Sequence, residues 1–241
     1  MDKYKQKIYA SYISNHNRNL YGDNSLAKIK AYGPALNYYY GRHLPADKQA
    51  RILDIGCGDG NFVYHMQQMG YKNASGIDYS AEQVEKGRSM GIENLVCADL
   101  VRFLSENTMQ YDAIIAKDVI EHFTRDEVFE ILELVNKNLK TGGRFIMQVP
   151  NGQGIFYTSV YYGDYTHEMA YTESSVNQVI LNTGFTKSAC YPTGPIPTGF
   201  VSSIRYVLWK LMVWKIKFWK MVETGNPRGI FTQNIIAVIE K

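Results

Sequence analysis

Short runs of apolar residues alternate with longer amphipathic segments along most of the 241-residue chain. Apolar runs of this kind, bounded by turn residues, are typical of buried parallel strands, and the amphipathic segments between them are typical of helices. The runs predict strands at residues 52–55, 74–77, 94–97, 111–117, 144–149, 186–191 and 231–239. This alternation predicts an α/β fold, and the chain length suits one large domain.

The amphipathic segments predict the helices, and two of them begin with a capping signal. Ser80 and Thr124 each begin a capping-box pattern. Helices are expected at residues 25–40, 61–69, 81–90, 126–139 and 173–183. We expect Pro34 to break or kink the first of these, and the turn at Gly142 to end the fourth.

A glycine-rich segment follows the first predicted strand and carries the strongest functional signal. Residues 54–60 read Asp-Ile-Gly-Cys-Gly-Asp-Gly, which fits the spacing D-x-G-x-G-x-G. Glycines let the backbone pass close to a ligand, and the helix that follows presents free N–H groups at its N-terminus. The segment lacks the spacing of dinucleotide folds and the lysine of a P-loop. Its acid, Asp54, suits a ligand with a cationic amino-acid part.

Further motifs stand where later predicted strands end. Asp78 ends the second strand, where a carboxylate can accept hydrogen bonds from both ribose hydroxyls. Asp99 follows the third strand, the run Asp-Val-Ile-Glu-His at 118–122 follows the fourth, and Pro-Asn at 150–151 follows the fifth. Together with the glycine segment, this set resembles the class I S-adenosylmethionine (SAM) methyltransferases. The similarity is to the ubiquinone-biosynthesis type and to bacterial glycan or sugar O-methyltransferases.

The resemblance covers residues 51–185 well and residues 231–241 by strand pattern only. It implies an α/β, Rossmann-like fold with a seven-stranded, mostly parallel sheet, the last strand antiparallel and helices on both faces. It also implies an enzyme that takes a methyl group from SAM and leaves S-adenosylhomocysteine. The cofactor-binding residues that it implies are Asp54, Gly56, Cys57, Gly58, Asp78, Tyr79, Asp99, Leu100 and Lys117.

Several of these implied roles leave alternatives open. Tyr79 is expected against the adenine, and Asp99 is expected at the adenine amino group, with a neighbouring backbone N–H, at Leu100, on a ring nitrogen. Asp99 is otherwise an N-cap for the next helix. Lys117 stands where the family more often has a small residue, so it either contacts substrate or only caps a strand end.

The catalytic candidates are His167, His122 and Asp164. His167 is favoured as the base that removes a proton from the acceptor, because it lies in a Gly/Tyr-rich connection expected at the cleft mouth. Asp164 is its expected orienting partner, and a structural role is the alternative for each histidine. No metal is expected, since Asp164, His167 and Glu168 lack a diagnostic ligand spacing.

The expected function is methylation of an oxygen atom on a sugar or glycan-pathway acceptor. The alternative acceptor is a quinone-like or other aromatic small molecule. The alternative of another class is a non-catalytic SAM-binding scaffold. The net charge of +3 and the lack of an Arg/Lys-rich run argue against nucleic acid as a partner.

The chain divides into a cover segment at 1–50, the SAM-binding core at 51–191, a helical insert at 192–230 and a last core strand at 231–241. The tyrosine-rich cover segment is expected either over the cofactor and substrate or packed on the flank of the sheet. No signal peptide opens the sequence, and the three cysteines form no C-x-x-C pair, which suits the cytoplasm.

The insert contains a predicted helix at residues 202–222 that carries all three tryptophans, together with several lysines, beside an apolar stripe. Basic, aromatic-rich amphipathic helices can lie in a membrane interface, so peripheral membrane contact is one expectation. The favoured alternative is packing against protein near the substrate, either in the same chain or in a homodimer.

Overall fold

The computed structural model describes residues 3–9 and 25–241. Within these ranges seven strands form one sheet in the order β3-β2-β1-β4-β5-β7-β6. The strands are β1 Ile52–Ile55, β2 Ala74–Asp78, β3 Leu95–Cys97, β4 Tyr111–Lys117, β5 Leu139–Pro150, β6 Lys187–Pro192 and β7 Asn234–Glu240. All neighbours from β3 to β5 are parallel, and β7 is antiparallel to both β5 and β6. The predicted Rossmann-like α/β fold is confirmed.

Helices cover both faces of the sheet, and six of those described present an apolar stripe to one of two buried clusters. The helices are α1 Lys3–Tyr9, α2 Leu26–Tyr40, α3 Asn61–Gln68, α4 Ala81–Ser89, α5 Leu100–Glu106, α6 Arg125–Asn138, α7 Tyr157–Tyr161, α8 Glu173–Ile180 and α9 Phe200–Thr224. Helices α5, α6 and α8 contribute to one cluster, and α2, α3 and α4 contribute to the other. The sheet therefore sits between two apolar layers, and its strand ends remain open at one edge.

Helix α2 runs through Pro34 without ending, so Pro34 does not break it, and the expected kink stays a prediction. Proline lacks the N–H that would bond a carbonyl of the preceding turn. Tertiary packing holds the helix together at this point. The His65 ring donates from Nε2 to the carbonyl of Ile29 at 2.7 Å. The same ring fills the space beside Gly33, where an added Cβ would come within 2.9 Å of it.

Helix α6 ends at Asn138, and β5 begins directly at Leu139, so the predicted strand start at residue 144 is five residues too late. Leu139 is fully buried, has extended backbone angles and pairs with Tyr111 of β4. The Lys140 ammonium lies 2.8 Å from both carboxylate oxygens of Asp112, which fixes the early part of β5. Similarly, β7 begins at Asn234 rather than at residue 231.

The described part of the cover segment contacts the connection that follows β5. In helix α1, the Lys5 ammonium lies 2.9 Å from a Glu168 oxygen and donates to the His122 carbonyl at 2.6 Å. The Tyr4 hydroxyl donates to Glu168 at 2.6 Å. The rest of the predicted N-terminal arm, residues 1–2 and 10–24, lies outside the described residues. The division into cover, core and insert stays a prediction.

Candidate functional site

The glycine turn after β1 is built around a carboxylate from the neighbouring strand. Asp78, at the end of β2, accepts hydrogen bonds from the backbone N–H of Gly58 at 2.7 Å and of Ser80 at 2.8 Å. Gly56 has a φ of 70°, and a Cβ there would lie 2.5 Å from a methyl group of Val119. The turn therefore needs glycine both for its backbone angle and for its close approach to the chain after β4.

Two chambers meet at this turn, along the carboxyl ends of the parallel strands. The larger chamber, called the main cleft, has a volume of about 770 Å³ up to its open mouth, and the smaller, called the small pocket, has a volume of about 440 Å³. Gly56 and Gly58 line both. The other residues of the main cleft are Ile77, Asp78, Tyr79, Ser80, Gln83, Ala98, Leu100, Asp118, Val119, His122 and Phe123. The other residues of the small pocket are Tyr32, Leu36, Asp54, Cys57, Asn61, Phe62 and Lys117.

The small pocket contains two buried acceptor atoms that no protein group satisfies. The Oδ1 atoms of Asp54 and Asn61 are both buried and have no hydrogen-bond partner. Asp54 is 2% exposed, and burial raises the pKa of its carboxyl to about 8, although the nearby Lys117 lowers it. Unsatisfied buried acceptors are costly, so this pair fits a ligand that donates hydrogen bonds and carries positive charge. The ammonium group of an amino acid has both properties.

A polar network behind the small pocket fixes the chain where β4 ends. Lys117 Nζ lies 2.6 Å from one oxygen of Asp118, and the Gln148 amide donates to the other at 2.8 Å. The Tyr40 hydroxyl donates to Gln148 in turn at 2.8 Å. Burial disfavours the Asp118 anion, but the Lys117 ammonium prevails and lowers the pKa of Asp118. Asp118 has a φ of 58°, an uncommon backbone conformation that this network holds in place.

A cluster of polar groups, called the histidine cluster, lies beside the main cleft and consists of Glu121, His122, Asp164, Thr166 and His167. The Thr166 hydroxyl donates to Asp164 at 2.6 Å, so it accepts from His122 Nδ1 at 2.8 Å. In the neutral His122 ring, the lone pair is then on Nε2. Burial, and secondarily the charge of His167, lowers the pKa of His122 to about 4. His122 is therefore neutral at physiological pH, with a tautomer set by this chain of hydrogen bonds.

His167 lies behind His122, with the two ring centres 4.6 Å apart. Its Nδ1 donates to the Tyr161 carbonyl at 3.0 Å, and its Nε2 is 4.0 Å from Glu121. Glu121 is 1% exposed, its Oε2 has no hydrogen-bond partner, and burial together with nearby Asp118 raises its pKa.

The histidine cluster also contains a group of side chains that could hold a metal ion. One ligand atom from each of Glu121, His122 and His167 lies within 4.8 Å of the others. This is a different set from the one weighed in the sequence, because Glu168 points to Lys5 and Tyr4 instead. The expectation that the site works without a metal stays a prediction.

The structure places some of the predicted site residues in the two chambers, whereas Asp99 caps a helix. Tyr79 and Leu100 line the main cleft, and Cys57 lines the small pocket, together with Lys117. Asp99 is exposed and caps α5 by accepting from the Arg102 N–H at 2.9 Å, as the alternative for that residue anticipated. Asp99 itself does not line the main cleft, although its neighbours Ala98 and Leu100 do.

Sequence reasoning missed two polar residues that the structure brings into the site. Asn61 is the first residue of α3, directly after the glycine turn, and that position was the only signal for it. Thr166 is fully buried between Asp164 and His122. Its signal was the Asp-x-Thr spacing, in which the Asp164 side chain accepts from the Thr166 N–H at 2.8 Å.

A sheet of this order, with a glycine turn after β1 and acids at the ends of the next strands, defines the class I SAM-dependent methyltransferase fold. A family model described as a methyltransferase domain matches residues 29–188. The chain belongs to this methyltransferase family, which confirms the predicted family.

Solved structures and curated relatives agree with this assignment. A SAM-dependent methyltransferase from Archaeoglobus fulgidus superposes with a TM-score of 0.69 at 18% identity, covering 95% of this chain and all of that one. Magnesium protoporphyrin IX methyltransferase from Synechocystis, solved with bound S-adenosylhomocysteine, has a TM-score of 0.59 at 14% identity over the full length of both chains. At these identities the likeness shows the fold.

The curated relatives match over a shorter region. N-methyltransferase 4 of Papaver somniferum is 35% identical over 107 residues, which cover 41% of this chain and 29% of that protein. A ubiquinone biosynthesis O-methyltransferase of Xanthomonas oryzae pv. oryzae is 29% identical over 107 residues, covering 42% of this chain and 44% of that protein. The match thus spans less than half of either relative, and the two names differ in the atom methylated.

The residues of the two chambers fit SAM, the cofactor of this class. The small pocket offers the buried acceptors Asp54 and Asn61 to the ammonium of its methionine part. The main cleft offers Asp78 to its ribose and a mostly apolar wall to its adenine. The two chambers are joined at Gly56 and Gly58, so one elongated ligand can occupy both.

Proposed function

We propose that the protein transfers the methyl group of SAM to a hydroxyl oxygen of a sugar or glycan-pathway acceptor. The observation that supports oxygen as the acceptor atom is the hydrogen-bond chain from Asp164 through Thr166 to His122 at the wall of the main cleft. A hydroxyl group must lose a proton during transfer, and a neutral imidazole suits that task. Bound SAM would supply a methyl group that is already activated by its sulfonium.

The residues of the two chambers would hold SAM in one orientation, with its methionine part in the small pocket and its ribose in the main cleft. Asp54 and Asn61 would bind the ammonium of the methionine part in the small pocket. Asp78 would accept from the ribose hydroxyls with the lone pairs that Gly58 and Ser80 do not use, since each carboxylate oxygen has two.

The remaining cofactor contacts follow from this orientation of SAM. Tyr79 would lie against the adenine, while Asp99 and the Leu100 N–H would bind its polar edge. The Lys117 ammonium lines the small pocket, so it would face the carboxylate of the methionine part. Cys57 lines the same pocket, and its backbone and side chain would form part of the wall around the methionine part.

His122 is the proposed proton acceptor, because it lines the main cleft and its lone pair is on Nε2. Asp164 and Thr166 position its ring and stabilise the imidazolium that forms. His167, which the sequence favoured, contacts the His122 ring but does not line the main cleft, so it would act through His122. Alignment of the acceptor with the methyl carbon supplies the rest of the rate enhancement.

The test is the release of S-adenosylhomocysteine in single turnovers with a panel of hydroxylated acceptors. His122→Ala should lower the rate by about 10²–10⁴-fold, with SAM affinity unchanged. His43→Ala is a matched control, because burial also lowers the pKa of His43 to about 4 but its side chain lines a different pocket. Full activity of His122→Ala would refute the role, and loss of activity in His167→Ala alone would transfer it to His167.

Thr166→Val provides a further readout that packing alone would not change. The variant keeps the shape of the side chain but removes the oxygen that accepts from His122 Nδ1. We expect a lower rate and a shifted pH–rate profile, since the preferred tautomer is lost. An unchanged profile would show that the hydrogen-bond chain does not set the state of His122.

The acceptor panel also separates the alternatives. A quinone-like or other aromatic acceptor is the second candidate, and the similarity to a ubiquinone biosynthesis O-methyltransferase favours it. Amines and transfer RNA belong in the panel, because other relatives are named as an N-methyltransferase and as a probable tRNA methyltransferase 9B. The small net charge favours small molecules over nucleic acid. SAM binding without turnover on any acceptor would instead support a non-catalytic scaffold.

We also propose a cytoplasmic location, because Cys57, Cys97 and Cys190 are all unpaired. No helix among the described residues is long and apolar enough to cross a membrane. The sequence leaves a homodimer and peripheral membrane contact open as alternatives, and both involve α9.

A further inference from the structure

Helix α9 touches the rest of the protein along one narrow face only. Its partly buried residues recur every three or four positions, as on one side of a helix, and none of its residues is fully buried. The partly buried set is Ser202, Ser203, Tyr206, Trp209, Val213, Ile216 and Lys220. Trp209 packs over Gly194, where an added Cβ would come within 2.7 Å of its ring. The expectation that the apolar stripe packs on its own domain is therefore wrong.

The opposite face of α9 is apolar and exposed to solvent. At 100° per residue, its large side chains lie within about half of the helix circumference, centred away from the domain. Their exposure ranges from 46% for Ile204 to 83% for Phe200. The set is Phe200, Val201, Ile204, Val207, Leu208, Leu211, Met212, Trp214, Phe218, Trp219, Met221 and Val222. Contiguous exposed apolar surface of this extent is rare on soluble monomers and marks a binding surface.

The charges on α9 are almost all positive. The helix carries five basic residues, Arg205, Lys210, Lys215, Lys217 and Lys220, against the single acid Glu223. Lys210 and Lys217 lie along one border of the apolar face, Arg205 lies along the other, and the exposed Lys215 lies within the face. Long basic side chains at such borders can extend to anionic head groups while their stems remain in apolar surroundings.

The charge distinguishes between the two kinds of surface that this face could bind. A second copy of α9 would bring the same excess of positive charge against the first. An anionic phospholipid surface is complementary in charge, and it also accepts an apolar face bordered by tryptophan and lysine. Because no described helix is suited to cross a membrane, α9 would lie in the plane of the interface.

We propose that α9 docks the protein on an anionic phospholipid bilayer, with its apolar face in the interface. The helix is fastened to the domain near the site, because the Tyr39 hydroxyl donates to the Gly194 carbonyl beneath Trp209. Tyr39 belongs to α2, and Tyr32 and Leu36 of the same helix line the small pocket. Docking by α9 thus holds the α2 side of the site close to the bilayer. This inference does not depend on the identity of the methyl acceptor.

The three tryptophans of the chain are all in α9, so their fluorescence reports directly on this helix. The full chain is mixed with vesicles of phosphatidylcholine alone or of phosphatidylcholine with phosphatidylglycerol, at low and high salt. We expect co-sedimentation with the anionic vesicles, weakened by salt, together with a blue shift of the emission and quenching by brominated lipid.

Paired variants identify the face that binds. Trp214→Glu combined with Phe218→Glu should lower vesicle binding by about tenfold or more, because both side chains lie on the apolar face. Lys210→Glu combined with Lys217→Glu should remove the preference for anionic lipid. Leu181→Glu is the matched control, since Leu181 is 66% exposed outside α9, and it should bind as the wild type does. SAM titration of each variant shows that the core remains folded.

Two results would overturn the proposal. The first is an unchanged tryptophan emission and no co-sedimentation with anionic vesicles. The second is a dimer in sedimentation equilibrium that Trp214→Glu with Phe218→Glu converts to a monomer, with no vesicle binding by the wild type. That outcome would assign the apolar face of α9 to a second copy of the chain. Neither result would affect SAM binding, so failure here is distinguishable from failure of the proposed methyl transfer.

Discussion

Replacing Asp54 by asparagine should make the ligand-free protein more stable and at the same time weaken its cofactor binding. Asp54 is 2% exposed, and burial raises its pKa from 3.8 to about 8. At neutral pH the folded protein must keep a proton that the unfolded chain releases. Because pH 7 lies roughly three pH units above the unfolded pKa of 3.8, keeping this proton costs about 4 kcal/mol of stability. The Asp54→Asn side chain avoids that cost at nearly the same volume.

The net gain is smaller because the new amide brings a donor into the same buried space. An unsatisfied buried polar group costs about 1–3 kcal/mol, which leaves a net stabilisation of about 1–3 kcal/mol near pH 7. For a chain of this length, each kcal/mol corresponds to roughly 2–4 °C in Tm. The variant should therefore melt several degrees higher than the wild type in the absence of SAM.

The difference in stability between the variant and the wild type should depend on pH. Below pH 3.8 the Asp54 carboxyl is protonated in both states, so its charge has no effect on stability. Between pH 3.8 and about 8 only the unfolded chain ionises, so the wild type loses stability as the pH rises. The advantage of the variant should grow over this range and level off above it. Thermal unfolding followed by circular dichroism at a series of pH values measures this difference.

Cofactor binding should change in the opposite direction. The wild type must release the Asp54 proton to pair with an ammonium, so its SAM affinity should rise with pH up to about 8. Asp54→Asn should bind SAM about 10–100-fold more weakly, and its affinity should lack this rise. A difference in Tm that does not vary with pH, or a variant that binds SAM as tightly as the wild type, would refute the reasoning.

Three further perturbations test other parts of the site. Asp78→Ala should weaken SAM binding by about 1–3 kcal/mol in calorimetry, because the glycine turn loses the acceptor for Gly58 N–H. Gly56→Ala should lower both SAM affinity and Tm, since its Cβ would lie 2.5 Å from Val119. Its control is Gly142→Ala. Gly142 has a similar positive φ, but a Cβ there would meet no atom within 4 Å, so this variant isolates the effect of backbone strain. A chelator should leave turnover unchanged, whereas loss of turnover that a divalent ion restores would show that the histidine cluster binds a metal.

The strands and the strand-end acids were predictable because each depends on local pattern. Ile52, Leu53 and Ile55 are apolar and flank the buried Asp54, and a parallel strand buried on both faces favours such an apolar composition. Asp54 and Asp78 could be placed in one cleft because parallel strands end at the same edge of a sheet. The prediction needed no knowledge of side-chain packing.

The predicted boundaries of helices and strands were wrong where one residue fits both a helical and a strand pattern. Leu139 continues the helical spacing of the apolar residues of α6, and it equally suits the first position of a buried strand. The choice depends on pairing with Tyr111, which is distant in sequence. Likewise, α2 continues through Pro34, and the His65 ring that packs beside Gly33 and donates to the Ile29 carbonyl is a tertiary contact that local propensity cannot show.

The arrangement of the histidine cluster was also beyond the sequence. His122 and Thr166 are separated by 44 positions, and only the folded chain shows that their side chains meet. The pattern of α9 showed an apolar stripe, but the sequence does not determine which side of a helix contacts the domain. The structure directs Trp209 inwards and leaves Trp214 exposed.

Calorimetric titration of the wild-type protein with SAM tests the central claim most directly. If Asp54, Asn61 and Asp78 line one continuous cofactor site, one SAM should bind per chain, and S-adenosylhomocysteine should compete with it. Asp54→Asn and Asp78→Ala should each lower the SAM affinity measured in this titration. Absence of binding heat for the wild type, with no rise in Tm on addition of SAM, would contradict the assignment of both chambers to the cofactor.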